Sequence, residues 1–363
     1  LCEMRRLIYI FIIGLLLCSY TWADGSRYAS KSLLSEGKWV KIRVDKTGIY
    51  KLSYADLKNM GFSDPSKVSV HGYGGWPLDE DFSKEYIDDV PSTPVWRGSD
   101  YLLFYGKGPV KWEYDSSSQT FVHTNNPYSL YGYYFVTDAT PTNDMTSVTQ
   151  ASGASTRITT YDDYLLHEQE LVSVNQSGRE FFGEDFSGAR PRTISTFSSI
   201  PGITDADGKV TMRFISRINS GSGTASLSIN DSELLDITIP SIQTVSSNVR
   251  SYTKAIPGTT TALWKGSKSE KNNVVVSYSS SGHTNVRLDY IRMQFVRTLR
   301  PYGACTFFRS LTSVGNASRF VISEANSNTL VFDVTDALNV KRVEADLNGS
   351  ELSFTIPAGR LRE

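Results

Sequence analysis

The sequence predicts a mostly β protein built from two or more antiparallel domains, sandwich-like or jelly-roll-like, with few short helices. Aromatic residues make up 12% of the 363 residues, including 20 Tyr and 17 Phe, and aromatic side chains are enriched in strands. Short apolar or alternating runs recur along the chain between polar turns, whereas helical periodicity is rare. Apolar residues at 39% and this length suffice for roughly two or three hydrophobic cores.

The charge and cysteine content exclude several classes of protein. The chain has 37 Lys and Arg against 38 Asp and Glu, a net charge of −1, which gives no support for a nucleic-acid partner or a polybasic membrane patch. Three Cys are too few for a disulfide scaffold, and four His limit any imidazole-rich metal site. We assign no cofactor and no metal-ligating residue, and the sequence leaves open whether calcium is bound.

The first 23 residues have the pattern of a secretory signal peptide. Met4, Arg5 and Arg6 precede an apolar run over residues 7–18, and Ala23 is a small residue suited to the cleavage site. Met4 is the expected initiator, with residues 1–3 resulting from a misplaced start. The run is short for a bilayer span of about 20 residues, although a membrane anchor and a lipoprotein box ending at Cys18 stay open as alternatives.

Export would leave a mature chain with Cys305 as its single cysteine, because Cys2 and Cys18 lie in the signal segment. No internal disulfide could then form. Such a protein must be stabilised by its hydrophobic cores, which the length of the chain permits.

A first β domain is predicted over residues 33–140. Residues 39–44 alternate apolar and charged side chains, which is typical of a half-buried strand. Ser53 is a good N-cap for a short helix that Gly61 would end. Residues 68–71 predict a strand broken by the following glycines. The apolar runs at 101–105 and 131–136 predict strands buried on both faces.

Residues 141–160 are rich in Ser, Thr, Ala and Gly and predict a linker or long loop.

A β-sandwich domain is predicted over residues 161–300, because several short strands with polar turns follow one another there. Residues 301–363 add three strand-like runs, at 320–322, 330–334 and 352–354. No closing element is visible before Glu363, so we expect these strands to lead toward a further domain, with a natural end as the alternative.

One pair of residues suggests nucleophilic catalysis. His71 follows an apolar run and Cys305 is the lone mature cysteine, and a cysteine peptidase needs a thiolate in contact with an imidazole. The two residues fall in different predicted domains, however, and a lone Cys is commonly a small buried apolar residue. We therefore assign no catalytic residue.

Three short motifs suggest ligand binding and also have simpler explanations. Residues 205–208 (DADG) resemble the start of a calcium loop, but the glycine is too early and the closing Glu is missing, so a hairpin turn is favoured. His167 and Glu168 lack the second His of a zinc helix. Residues 72–75 (GYGG) lack the strand–helix setting and the Lys of a phosphate loop, and indicate a tight turn.

Three tryptophans, Trp76, Trp96 and Trp112, are candidates for a sugar-stacking platform. Packing in a core or between domains is the alternative, and the sequence favours it. A carbohydrate-binding or adhesin function therefore stays the second hypothesis.

Several strings in a fixed order resemble a known family. They are residues 35–42 (SEGKWVKI), 47–52 (TGIYKL), 100–106 (DYLLFYG) with Trp112, 126–129 (NPYS), 133–137 (YYFVT), 167–168 (HE), 177–186 (SGREFFGEDF), 288–291 (LDYI) and 297–299 (RTL). Together they resemble the N-terminal region of the sortases of the type IX secretion system, which belong to the gingipain-like cysteine peptidase family. The resemblance covers the chain from about residue 33 onward.

The resemblance implies a role at the outer membrane of a Gram-negative bacterium. Such sortases remove C-terminal sorting domains from secreted cargo through a Cys–His dyad and a thioester intermediate. In this family the dyad lies in an α/β peptidase domain that follows the β-rich N-terminal region, and no position of this chain matches the catalytic motifs. The resemblance thus carries no catalytic residue over to this chain.

We therefore predict an exported, non-catalytic N-terminal portion of such a sortase. Its implied partners are the missing peptidase domain, secreted cargo and other components of the secretion system. The alternatives are a stand-alone cell-surface adhesin or carbohydrate-binding protein, and a short homologue acting as a scaffold. The sequence does not identify the cargo, the binding-surface residues or the oligomeric state.

Overall fold

The structure is a computed structural model that describes residues 29–81, 83–84, 87–174, 178–218, 221–242, 255–280 and 285–363. The predicted signal peptide lies outside the described residues. The described part forms one α-helix, α1 (Tyr54–Asn59), and short 3₁₀ turns at Leu33–Ser35, Pro65–Lys67, Ser195–Phe197 and Leu311–Ser313. Within it, no helix is long and apolar enough to cross a bilayer.

The rest of the regular structure is β. In chain order the strands are β1 (Val40–Val44), β2 (Gly48–Ser53), β3 (Ser69–Gly74), β4 (Ser92–Thr93), β5 (Val95–Arg97), β6 (Tyr101–Gly106), β7 (Val110–Asp115), β8 (Thr120–Asn125), β9 (Gly132–Thr137), β10 (Ser147–Val148), β11 (Thr156–Ile158), β12 (Thr160–Glu168), β13 (Arg192–Thr193), β14 (Gly208–Ser216), β15 (Ser222–Ile229), β16 (Ser232–Pro240), β17 (Ile256–Trp264), β18 (Val274–Ser280), β19 (Val286–Thr298), β20 (Ser318–Ile322), β21 (Val331–Asp333), β22 (Lys341–Val343), β23 (Asp346–Asn348) and β24 (Glu351–Ile356). The predicted mostly β class is confirmed.

The first part of the chain packs two small antiparallel sheets around one core. Their strand orders are β1-β9-β3-β4 and β2-β6-β5. The side chains of Leu57, Phe104 and Tyr134 are fully buried between them. Helix α1 begins as predicted, because the Ser53 hydroxyl accepts a hydrogen bond from the Asp56 amide at 3.0 Å.

Two details of this part differ from the sequence predictions. Burial of both faces was wrong for residues 101–105 and for residues 131–136. Tyr101 and Leu103 stay half-buried in the first run, and one face of the second is half-buried, where the Lys41 ammonium lies 3.9 Å from the ring centroid of Tyr133. Strand β3 also continues through Gly72 instead of ending before it. A register shift between His71 and Gly74 absorbs the glycines, and Gly74 adopts a φ of 74° where a Cβ atom would contact the Lys107 carbonyl.

The middle of the chain forms a sandwich of two antiparallel four-stranded sheets. Their strand orders are β12-β19-β14-β17 and β13-β18-β15-β16. Strand β15 buries every second residue, as expected for a strand with one face in the core. The facing sides enclose the largest apolar cluster of the described residues, with Met212, Phe214, Leu227 and Ile291 inaccessible to solvent. Burial on this scale is the dominant stabilising contribution to such a unit.

The last strands form two further sheets, ordered β11-β20-β24-β23 and β10-β22-β21. The stretch 141–160, predicted as a linker or long loop, contributes β10 and β11, which pair in parallel with β22 and β20. The chain between the first core and the sandwich is therefore tied to the C-terminal strands. The domain boundaries themselves stay a prediction.

The hairpin of β7 and β8, residues 110–125, extends from the first part and docks on the sandwich; we call it the arm. Its backbone is held by one side chain, because the Phe121 N–H donates to Gln294 Oε1 at 2.9 Å and Gln294 Nε2 donates to the Phe121 carbonyl at 3.2 Å. The Trp112 ring stacks on Tyr164 of β12 at 3.9 Å between centroids. The arm thereby forms one wall of a cleft beside the sandwich.

Candidate functional site

The structure does not bring His71 and Cys305 together. His71 is buried in β3, where its ring contacts the Thr140 hydroxyl at 2.9 Å and the edge of Trp39. Burial lowers the pKa of His71, which favours a neutral ring. Cys305 is exposed in the loop between β19 and β20, and partial desolvation raises the pKa of its thiol. Neither residue has the environment of an activated dyad.

The suspected metal motifs are engaged in other contacts. His167 and Glu168 point to opposite faces of β12, so His167 pairs with Glu184 at 2.7 Å while Glu168 faces His123 at 3.2 Å. The Asp205 carboxylate accepts the Lys268 amide at 2.8 Å and anchors a loop. Among the residues that the structure describes, no group of three or more His, Cys, Asp or Glu is placed to hold a metal ion.

The three tryptophans have different surroundings. Trp112 is taken up by the stack on Tyr164, which is packing between the arm and the sandwich. The Trp96 ring packs against the Tyr101 ring of the neighbouring strand. Trp76 stays half-exposed at the edge of the cleft, with the Lys107 ammonium 5.1 Å from its ring centroid. The three rings therefore do not form one platform.

The cleft is an open cavity of about 1920 Å³ between the arm, the sandwich and two surface loops. Residues 76–81 and 126–130 supply the loops, and the ends of β12, β14 and β19 supply the bottom. We call the side chains at this bottom the floor. It is formed by Glu168, Glu170, Glu180, Arg213 and Asp289, with His123 and Asn125 of the arm beside them.

A β-bulge explains how the floor is assembled. Arg213 of β14 pairs with Tyr290 of β19, and the next residue, Phe214, pairs with Leu288, so Asp289 is the extra residue of the bulge. Strand pairing also sets Glu168 opposite Tyr290. Bulges re-aim side chains. Both Asp289 and Tyr290 consequently line the cleft, although neighbouring residues of a regular strand point to opposite faces.

The floor has more carboxylates than cations. Arg213 pairs with both Asp289 and Glu180, the latter at 3.5 Å. Glu170 accepts a hydrogen bond from Asn125 Nδ2 at 2.9 Å. Among the described contacts of the four acidic side chains, Arg213 thus pairs with two, the His123 ring faces Glu168, and Glu170 has a neutral partner.

The pKa values of two floor carboxyl groups reflect their burial and the acidic side chains around them. Partial burial, followed by the charge of Glu168, raises the pKa of Glu170 to about 7. Burial also raises the pKa of Asp289 to about 6, and the opposing effect of Arg213 is smaller. Additional negative charge is thus unfavourable on this floor, whereas a bound cation would reduce the repulsion between the carboxylates.

The rim of the cleft is apolar and unusually exposed. Tyr128 is 83% exposed, Leu130 68% and Leu78 61%. Large apolar side chains grouped around a concavity are typical of an interaction surface. No local sequence pattern predicts the floor, because its members come from β12, β14, β19 and the segments that carry Glu170 and Glu180.

A second, smaller cavity of about 630 Å³ lies between the arm, β12 and the last residues. Arg309 is a buried cation of this cavity, with its side chain only 2% exposed. Its guanidinium group donates a hydrogen bond to the Asp162 carbonyl at 3.1 Å and lies 4.4 Å from the ring centroid of Tyr164. Glu363 and Asp163 supply the opposing charges. Cys305 lines this cavity without a described imidazole beside it. These contacts hold the arm, β12 and the C-terminal strands together.

The comparison with solved structures gives a strong match to one described protein. Dimeric latent PorU from Porphyromonas gingivalis superposes with a TM-score of 0.80 over 93% of this chain, at 32% sequence identity. The chain is a structural relative of PorU. The match spans 32% of the solved PorU chain, so this chain covers about a third of that relative's length. The resemblance predicted from the sequence is confirmed by this likeness to PorU.

Two carbohydrate-binding modules match with low scores. The C-terminal CBM6 of LamC, a laminarinase from Zobellia galactanivorans, gives a TM-score of 0.20 at 10% identity over 40% of this chain and 94% of that module. The CBM6cm-2 module of Cellvibrio mixtus lichenase 5A gives 0.19 at 12% identity over 40% of this chain and 92% of the module. Such scores carry no functional argument. Neither the family models nor the curated proteins gave a match.

Proposed function

We propose that this chain is the N-terminal, non-catalytic portion of a PorU-type sortase of the type IX secretion system. The observation that carries the proposal is the match to PorU over 93% of the chain at a TM-score of 0.80. The separation of His71 from Cys305 is in keeping with it, because the cysteine peptidase chemistry then belongs to residues outside this chain.

In this role the chain supports a peptidase domain and contacts secreted cargo or other secretion components. It acts after export, at the cell surface of a Gram-negative bacterium. The docked arm and the Arg309 contacts suit a support function, because they join the first core, the sandwich and the C-terminal strands. The cleft is the surface best suited to a partner, since it combines exposed apolar side chains with unbalanced charge.

The first test is to read the DNA and the transcript beyond the codon for Glu363. The proposal expects a strand–helix-rich continuation with separate His and Cys motifs. A stop codon in an intact transcript would instead leave a stand-alone β protein and overturn the assignment to a sortase portion.

A second test addresses catalysis directly. Purified residues 24–363 are incubated with peptide substrates in the presence of a thiol reductant, alongside the Cys305→Ala variant. We expect no cleavage by either protein. Cleavage by the unmodified chain that Cys305→Ala abolishes would refute the non-catalytic role.

The supporting role is tested in the producing bacterium. An in-frame deletion of the region encoding residues 29–363 should leave cargo with its C-terminal sorting domain attached, whereas Cys305→Ala should leave processing unchanged. Immunoblotting of the cargo measures both. Normal processing in the deletion strain would contradict the proposal.

A further inference from the structure

We propose that the cleft binds an extended segment of a partner protein in which a Lys or Arg is flanked by apolar side chains. This proposal names the chemistry of the partner that the proposed function leaves unspecified. It rests on the proposed function only in assuming that the chain contacts a partner. A direct binding measurement can fail without affecting the relation to PorU.

The charge of the floor argues for a basic side chain. Arg213 pairs with Glu180 and Asp289, whereas no ion pair with a Lys or Arg is described for the other two acidic side chains, Glu168 and Glu170. Glu170 and Glu180 are exposed, so an incoming ammonium or guanidinium group can reach them. Opposite charges in a partly desolvated cleft attract more strongly than on an open surface. The floor is therefore complementary to a cation.

His123 independently indicates that the floor has an unused hydrogen-bonding group. Its side chain is 5% exposed and lines the cleft, with Nε2 facing Glu168 at 3.2 Å. Its Nδ1 is buried and has no hydrogen-bond partner among the described residues. Buried polar atoms in native proteins are usually paired, and exceptions call for an explanation such as a missing ligand group.

The rim argues for apolar neighbours around the basic residue. Leu78 and Leu130 lie on opposite loops and are both more than half exposed, as is Tyr128. Two of the charged pairs on the rim are Lys84 with Asp79 at 2.6 Å and Arg179 with Glu80 at 2.8 Å. The most exposed large side chains of the rim are thus apolar, whereas the floor is acidic.

The dimensions favour a polymer over a small metabolite. The cavity of about 1920 Å³ exceeds the roughly 300–1,000 Å³ of pockets that enclose small ligands. Between the two common polymers, a peptide fits better than a neutral glycan. The half-exposed Trp76 has its ring beside two lysine ammonium groups, those of Lys107 and Lys111, and a concentrated negative floor gives a neutral sugar no advantage.

The test is selection of random heptapeptides displayed on phage against the purified exported chain. The floor variant combines Glu170→Gln with Glu180→Gln, which removes charge from two exposed side chains and keeps their volume. The matched control combines Glu233→Gln with Glu351→Gln, two exposed carboxylates outside the cleft. The best peptide is then synthesised, together with a version in which norleucine replaces its basic residue.

We expect the selected peptides to be enriched in Lys or Arg flanked by apolar residues. Affinity for the synthetic peptide, measured by fluorescence anisotropy, should fall about tenfold in the floor variant and in the norleucine peptide, and should weaken with added salt. The control variant should bind like the unmodified chain. The rim variant Leu130→Ser should also bind more weakly, because apolar contact area is lost.

Several results would overturn the proposal. Absence of enrichment, enrichment of acidic or neutral peptides, or equal binding by the floor variant would each do so. Preferential capture of an oligosaccharide on a glycan array, lost in Trp76→Ala, would assign the cleft to carbohydrate instead. None of these results alters the DNA or cargo-processing tests described above.

Discussion

The docking of the arm depends on one buried amide, which makes Gln294→Leu the most informative substitution. Gln294 is 8% exposed and Phe121 is 4% exposed, and the two hydrogen bonds between them are the backbone anchor of the arm on β19. Leucine keeps a similar volume and removes both partners. The Phe121 N–H and carbonyl would then stay buried without hydrogen bonds, or the arm would separate from the sandwich.

The size of the effect follows from these two groups. Each unsatisfied buried backbone group costs about 1–3 kcal/mol. Part of this loss is offset, because the variant no longer buries the polar amide of Gln294. We therefore expect the free energy of opening the arm to fall by about 2–4 kcal/mol, which corresponds to at least about 30-fold faster amide exchange. The Trp112 stack on Tyr164 remains and prevents complete release.

Hydrogen exchange followed by mass spectrometry measures this effect locally. Peptides covering residues 110–125 report on the arm, and peptides covering β14 and β15 report on the sandwich, which should keep its protection. The control is Gln169→Leu, the same change at an exposed position after β12. Arm exchange within threefold of that of the unmodified chain, with the sandwich intact, would refute the anchoring role of Gln294.

Three further predictions follow from the described contacts. Phe214→Ala should lower the free energy of unfolding of the sandwich by about 3–5 kcal/mol in urea titrations, because Phe214 is fully buried in the largest core; a loss below about 1 kcal/mol would contradict that packing. Asp289 has a pKa raised to about 6, so its ionisation costs stability as the pH rises from about 4 to about 6. Denaturation at pH 4.5 and pH 7 should show that Asp289→Asn loses about 2 kcal/mol less stability over this range than the unmodified chain; equal losses would contradict the raised pKa. Ser53→Ala should destabilise the first part by about 1 kcal/mol in thermal unfolding, whereas Ser53→Gly should cost only a few tenths; no measurable loss in Ser53→Ala would contradict the hydroxyl cap.

The sequence alone was sufficient wherever structure depends on neighbouring residues. Alternation over residues 39–44 predicted β1, and Ser53 followed by Gly61 predicted the limits of α1, because capping and side-chain alternation are local properties. The ordered strings from residue 35 to residue 299 indicated a known relative, and the match to the solved structure of PorU confirms the likeness to that protein.

Tertiary structure decided which of these residues meet. Asp289 reaches the floor because a bulge in β19 turns it to the same face as Tyr290, and no sequence pattern shows such a shift. Glu168 and Glu180 join Arg213 through pairing of strands and loops far apart in the chain, and Trp112 becomes a packing residue because Tyr164 covers its ring. Strand alternation specifies only which face a side chain takes. The partner strand, its register and its bulges depend on long-range contacts, and those contacts fix the cleft.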